Sequence, residues 1–430
     1  MSKVVAVVAL GSAGDVHPNV GLALALRRRG RRVVLITSQY FEPLARRVGL
    51  EFVGLGTLED YHAAIQDPDI WSPYRAFSVV AKRLIVPNIA GIFELLSQWS
   101  KTEDVVVAAS GLAFGARIAH EKLGLPLATV HLQPVMFRSV RRPAVFGFPD
   151  VLGFLPRFLR GPYLRAADRF VIDPHLAPAV NAFRAGLGLP PVSRLLDGWM
   201  HSPQLVIGLF PEWFAAPQPD WPPNVHLTGF PLFDERDSRE PQPELNRFLD
   251  AGDAPLVFTG GSAMAQDAEF FRVSAEVCRA SGRRGLLLTQ FPEQLPARLP
   301  ETVRHFHYVP FSEVLPRAAA FVHHGGIGTI AQGLAGGVPQ LVVPLAHDQP
   351  DNAIRLRGLG VGEMLLPKEY KVKTVLRRLD QMLGSPAIRE NCRRRSMDLS
   401  GNRALERTCD LIEGLGLRAA EGAEDAQGAP

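Results

Sequence analysis

The chain is poor in cysteine. Its 430 residues hold three, Cys278, Cys392 and Cys409, an odd number with no CxxC pair. A disulfide framework or a sulfur-rich zinc site needs more sulfur at fixed spacing, so both are excluded, and the count fits a reducing compartment. Aromatic residues are few at 8%, and the formal net charge is only +4 although the isoelectric point is near 9.1. Arginines fall in short runs such as 27–29 and 393–395 rather than in a basic stripe with interleaved aromatics, so no nucleic-acid partner is expected. Charge is missing altogether from Phe321 to His347. A membrane-spanning helix needs about 20 apolar residues, but Gly325, Gly326, Gly328, Gly336, Gly337, Pro339 and Pro344 cut this stretch into shorter pieces. The apolar run Val4–Leu10 is too short for a secretory leader and reads as a first buried strand.

What is present is an alternation. Strand patterns at 4–10, 33–37, 105–109 and 128–131 are interleaved with helical ones. The first helix is expected to begin near Pro18, which suits a first helical turn, and to end at Arg27–Arg29 and Gly30. The pattern of strand and glycine loop restarts at Ala254–Ala265 and continues through 285–289, 303–309, 320–322 and 340–343. Between the two series lies a proline-rich stretch from Ala216, read as a linker. The expected organisation is α/β, with two doubly wound Rossmann-like domains facing across a cleft. Residues 1–235 form the first, ending in the linker, and residues 236–395 the second. A C-terminal helix over 396–418 packs back on the first domain, and 419–430, lacking large apolar residues, forms a disordered tail.

Polar residues gather where strands end. Open α/β sheets bind ligands at the carboxyl ends of their strands. Gly325, Gly326, Gly328 and Thr329 open a helix, so their amides suit a diphosphate, and His324 can donate to the same anion. Neighbouring residues of a strand face opposite ways, so His323 and His324 do not form a metal pair. His347, Asp348 and Gln349 supply the mixed donors and acceptors that sugar hydroxyls need. In the N-terminal loop, Asp15 is a candidate general base, with helix capping as its ordinary role and His17 as a competing base. Asp67-Pro68-Asp69 spells a DxD metal motif but follows no hydrophobic strand, and is discounted.

The stretch Tyr308–Ala353, with its His-x-Gly core, Gly337-Val338-Pro339, Pro344, Asp348-Gln349 and Asn352-Ala353, resembles the donor signature of the GT-B nucleotide-sugar glycosyltransferases of the UDP-glycosyltransferase family. The resemblance covers nearly the whole chain. Segments such as "DPDIWSP" (67–73), "WMHSPQ" (199–204) and "GFPLFD" (229–234) are most similar to the rhamnosyltransferases of rhamnolipid synthesis. It implies an inverting hexosyltransferase in which Tyr308, with its neighbour Val309, lies at the base. Ser262, His324, Gly326, Gly328 and Thr329 would hold the diphosphate, Asp348 and Gln349 the sugar, and Asp15 would deprotonate the acceptor. Gln332 replaces the glutamate that often binds the ribose, and Tyr308 replaces a tryptophan. Both changes favour dTDP-rhamnose over UDP-glucose as co-substrate. No metal or other cofactor is implied.

The expected acceptor is a hydroxyacyl lipid, with Phe146, Phe154 and Phe158 of the segment 141–164 as its apolar wall. The alternatives are a glucosyltransferase of a sterol or polyketide, a GT-B sugar-nucleotide epimerase, and a non-catalytic sugar-nucleotide binder. The expected setting is cytoplasmic and loosely peripheral to the inner membrane, as a monomer or weak dimer.

Overall fold

The computed structural model describes residues 4–72 and 75–427, with side chains described as far as Leu417. Two parallel sheets organise the chain. The first contains β1 (Val4–Val8), β2 (Arg32–Ser38), β3 (Glu51–Leu55), β4 (Val105–Ser110), β5 (Leu127–His131), β6 (Leu205–Gly208) and β7 (Val225–Leu227), in the order β3-β2-β1-β4-β5-β6-β7. The second contains β8 (Leu256–Thr259), β9 (Gly285–Leu288), β10 (Val303–Phe306), β11 (Ala320–His323), β12 (Gln340–Val342) and β13 (Gly362–Met364), in the order β10-β9-β8-β11-β12-β13. Strands such as VVAVV (β1) and LVFT (β8) are buried at every residue, the pattern of sheets covered by helices on both faces. Each sheet reverses its strand order once, between β1 and β4 and between β8 and β11. Such switch points open a crevice at the strands' carboxyl ends.

Several boundaries differ from the expectation. The first helix spans Ala13–Arg28, so Pro18 sits inside it and is buried. Proline has no N–H to give to the carbonyl of Gly14 four residues earlier. That carbonyl instead lies 3.9 Å from where a side chain on Gly328 would begin, so the first turns of the two helices meet across the cleft. The helix after β11 runs Ile327–Ala335, which brings Gly328 and Thr329 into its first turn. Part of the proline-rich stretch is not linker: Val225–Leu227 pairs onto β6 as the edge strand, a position that tolerates nearby prolines.

The C-terminal helices divide differently as well. The helix Pro386–Leu399 stays on the second domain, where Ser396 Oγ donates to the Ala335 carbonyl at 2.7 Å. The chain then crosses at 400–403. The helix Ala404–Gln427 packs on Ala13–Arg28, with Arg29 paired to Asp410 at 2.6 Å and to Glu413 at 2.9 Å. It continues through the stretch expected to be a disordered tail as far as Gln427, since alanine, glutamate and glutamine carry good helix propensity. Residues 428–430 lie outside the described residues. One apolar core runs through both domains, joining Val16, Val20, Leu22 and Cys409 to Ile327, Ile330 and Ala331. No helix among the described residues is long and apolar enough to cross a membrane.

Candidate active site

The two histidines after β11 divide their work. His323 is buried; its Nδ1 accepts from the Gly325 N–H at 3.1 Å, so its Nε2 bears the proton and donates to Gln340 Oε1 at 2.9 Å. It pins the loop. His324 turns the other way, and its Nδ1 is buried without a protein partner. Burial pushes its pKa down to about 4, so it is a neutral imidazole near pH 7. Gly326 caps the next helix with no side chain, leaving the first amides of Ile327–Ala335 unfilled. An unpartnered ring nitrogen beside an uncapped helix N-terminus makes an anion site. Gly261, at φ +99°, makes room for it: a Cβ there would lie 2.8 Å from the His324 ring. Ser262 follows in the same loop.

Asp348 opens the helix Gln349–Gly358. Its pKa is pushed up to about 7 by burial and by the charge of Asp15, against the hydrogen bond from Asn352 Nδ2 at 2.6 Å. The same Asn352 nitrogen reaches the Gly325 carbonyl at 3.0 Å, tying the sugar-side loop to the glycine loop. His347 takes a left-handed backbone, φ 60°, and meets the Trp71 ring of the first domain edge-on at 5.4 Å. A non-glycine residue held there is strained, a feature that clusters at functional sites.

Four expected donor residues are engaged elsewhere. The Gln349 side-chain oxygen Oε1 accepts from the amides of Leu345 at 2.8 Å and Ala346 at 3.2 Å, so it braces the loop. Tyr308 donates its hydroxyl to the Asp234 carbonyl at 2.5 Å, and Arg239 lies 3.9 Å over its ring, covering a face expected to meet the base. Gln332 donates to the Phe233 carbonyl at 3.4 Å. The interdomain linker supplies the partners of both side chains. Val309 is buried in the core with Leu286 and Phe321.

On the facing side, Asp15 is the third residue of its helix. Its Oδ2 accepts from the Ser12 amide at 2.9 Å and the Ser12 hydroxyl at 3.3 Å. Capping therefore uses one oxygen, while Oδ1 has no protein hydrogen bond among the described residues. Burial pushes the Asp15 pKa up to about 6 against those two bonds. Gly11, at φ +135°, permits the arrangement: a Cβ there would sit 2.1 Å from Oδ2. The competing base is tied off. His17 Nε2 lies 3.3 Å from Glu235 Oε1. Burial raises the Glu235 pKa, but His17, Arg47 and Arg239 outweigh it and hold the carboxyl near 2. The DxD match is structural: Asp67 pairs with Arg83 at 3.0 Å and caps the Asp69 amide at 3.1 Å. Among the described residues no group of three histidines, cysteines or acids is arranged to hold a metal ion.

Sequence reasoning missed His131. It ends β5 and lines the small cleft of Asp15 together with Ser110, Leu112, Gln133 and Met136. Its Nε2 lies 3.0 Å from His201 Nδ1, so one ring nitrogen of each histidine is engaged by the other. The available signal was a polar residue just where a buried strand ends. Phe146, Phe154 and Phe158, expected as an acceptor wall, are instead 52%, 82% and 77% exposed. Prolines at 149 and 156 break the segment before its helix, and its rings face solvent.

Comparison with known proteins adds the family. Residues 5–141 match the glycosyltransferase family 28 N-terminal domain, and 287–404 match the erythromycin biosynthesis protein CIII-like C-terminal domain. The chain is 31% identical to the O-mycaminosyltylonolide 6-deoxyallosyltransferase of Streptomyces fradiae, over 95% of this chain and 96% of that one. It is 29% identical to the dTDP-epi-vancosaminyltransferase of Amycolatopsis orientalis, over 82% and 83% of the two chains. The glycosyltransferase of kitacinnamycin superimposes with a TM-score of 0.72 at 21% identity, covering 96% of this chain and 99% of that one, which bears out the two facing Rossmann-like domains.

Proposed function

The chain belongs to the GT-B glycosyltransferases that join a family 28 N-terminal domain to a CIII-like C-terminal domain, and on that premise we propose an inverting transfer of rhamnose from dTDP-rhamnose to a hydroxyl of a hydroxyacyl lipid. That it is a sugar transferase using a nucleotide sugar and a small-molecule acceptor follows from membership. The sugar, the acceptor and the residue roles are the proposal.

The observation that carries it is that Asp15, with one carboxylate oxygen unbonded among the described residues, follows Gly14, whose carbonyl faces Gly328 of the opposite domain. In the reaction, the acceptor hydroxyl gives its proton to Asp15 Oδ1 as its oxygen bonds to the anomeric carbon. The bond from that carbon to the diphosphate breaks on the opposite face, and its electrons leave with the diphosphate. The N–H of neutral His324 and the helix amides meet that growing charge. A donor aimed at developing charge contributes about 3–4 kcal/mol. The two carboxylates take different roles near neutral pH: Asp15, near 6, is ionised, while Asp348, near 7, remains half-protonated and can donate to a sugar hydroxyl. In this reading the nucleotide sugar is a co-substrate and the reaction uses no metal or other cofactor.

The deoxysugar is supported by the departures at Tyr308 and Gln332 and by two relatives named for a 6-deoxyallosyl and a dTDP-linked sugar. The lipid acceptor is supported by the apolar Leu112 and Met136 beside Asp15 and by the sequence resemblance. The protein would then work in the cytoplasm, in loose contact with the inner membrane, as a monomer or weak dimer. A second reading, glycosylation of a bulkier natural product, is favoured by the relative that acts on O-mycaminosyltylonolide. A panel of dTDP- and UDP-sugars crossed with hydroxyacyl, sterol and polyketide acceptors, read by mass spectrometry, tests both. Nucleotide-sugar isomerisation without acceptor would point to an epimerase, and donor binding without turnover to a binder.

A further inference from the structure

Twelve large apolar residues are exposed among the described residues, and nine of them fall between Phe146 and Val171. They include Phe154, Phe158 and Phe170, the last 73% exposed. The helix Arg157–Ala167 within this segment buries none of its residues. Soluble helices normally hide one face, and a concentration of exposed rings of this kind marks a surface that meets something else.

Charge indicates what it meets. Residues 141–171 hold six arginines, at 141, 142, 157, 160, 165 and 169, against Asp150 and Asp168. Asp168 is buried, paired with Arg138 and Arg194 from outside the segment, and Asp150 is spent capping the Gly153 amide at 2.8 Å. None of the six arginines pairs with a carboxylate among the described residues, whereas surface arginines elsewhere do, as Arg272 with Glu269 and Arg393 with Glu390. Arg160 spends its donors on the carbonyls of Leu155, Val140 and Gly153, which holds the fold of the segment while leaving its charge uncompensated.

We propose that residues 146–171 dock this protein onto an anionic phospholipid bilayer, with Phe154, Phe158 and Phe170 entering the headgroup layer and Arg157, Arg165 and Arg169 meeting lipid phosphates. Basic residues beside exposed aromatics on a short helix are the composition of an interfacial contact. Pairing with a second copy of the same face would oppose six arginines to six, so self-association is disfavoured. The patch starts beside the cleft, since the Val145 amide donates to Asp351 of the donor domain at 3.2 Å. A bilayer held there would be next to the sugar-transfer site.

Co-sedimentation of the full chain with vesicles tests this. Phosphatidylglycerol-containing vesicles are expected to bind at least about tenfold better than phosphatidylcholine ones. Each arginine near an anionic surface strengthens binding by about fivefold, so Arg157→Glu with Arg165→Glu should remove most of the salt-sensitive part. Phe154→Asp with Phe158→Asp should abolish binding, whereas Leu58→Asp, an exposed apolar residue outside the segment, should not. These side chains are exposed, so unchanged thermal melts confirm that the variants fold. Equal binding to both vesicle types, or wild-type binding by the phenylalanine variant, overturns the proposal. So does a concentration-dependent dimer that this variant dissociates, which would assign the face to a second copy. Vesicle binding needs no turnover, so a failed transferase assignment would leave this result readable.

Discussion

Asp15→Asn separates a catalytic carboxylate from a capping one, because the two readings predict opposite signs for stability. The pKa of Asp15 is raised from 3.8 in the unfolded chain to about 6 in the fold, chiefly by burial. Folding therefore favours the protonated form. The stability linked to that proton is fully present below about pH 4 and is lost as pH rises through about 6. Above pH 7 the ionised carboxylate costs the fold about 3 kcal/mol. Asparagine keeps an oxygen for the Ser12 amide and removes that cost. It also forfeits a charge at a helix N-terminus, about 0.3–1 kcal/mol. The net expectation at pH 8 is a gain of about 2 kcal/mol, or about 4–8 °C in melting temperature for a domain of this size. Near pH 4 the gain disappears and reverses slightly. Turnover should fall about 10²–10⁴-fold with donor affinity by calorimetry unchanged, and the wild-type acid limb near pH 6 should vanish from the residual rate. A variant that melts lower at pH 8 and turns over normally would show that Asp15 only caps its helix.

Three further outcomes are expected. His324→Ala should weaken nucleoside diphosphate binding in calorimetry and slow transfer about 10²–10³-fold, and Gly261→Ala should do the same by displacing the ring; activity should survive EDTA, and its loss with rescue by Mg²⁺ would refute the metal-free scheme. In competition binding, dTDP should displace donor better than UDP, and a clear preference for UDP would contradict the deoxysugar reading. His131→Phe should raise the acceptor Michaelis constant with little change in the donor's, since only the acceptor side borders that ring; an equal rise in both would mean it merely supports the fold.

The sequence by itself determined the class of fold and the residues at strand ends. Hydrophobic runs such as Val4–Val8 and Leu256–Thr259, each followed by glycine and a helix, require buried parallel strands whatever lies around them. Glycines at 325 and 326 before an apolar helix require open amides. Strand alternation alone sends His323 and His324 opposite ways; which of them faces inward came from the fold, where His323 is tied into the loop and His324 keeps an unpartnered ring nitrogen. The short strands Glu51–Leu55, Val225–Leu227 and Gly362–Met364 were not legible, because three to five residues with glycine or proline nearby carry too little periodicity to register.

Tertiary structure decided which polar groups are free. Asp15 and His17 are two residues apart and equally able to act as bases on paper. Only the fold brings Glu235, 218 residues later, onto His17 and leaves one oxygen of Asp15 unbonded. Gln349 matched the donor pattern while Gln332 and Tyr308 departed from it, yet the linker and a neighbouring loop took the hydrogen bonds of all three. His131 gained its ring partner from a histidine 70 positions away. The physical reason is common to all of these. Backbone conformation answers to local sterics and burial, which a short sequence window contains, whereas the protonation and availability of a side chain depend on partners that chain folding brings from far away.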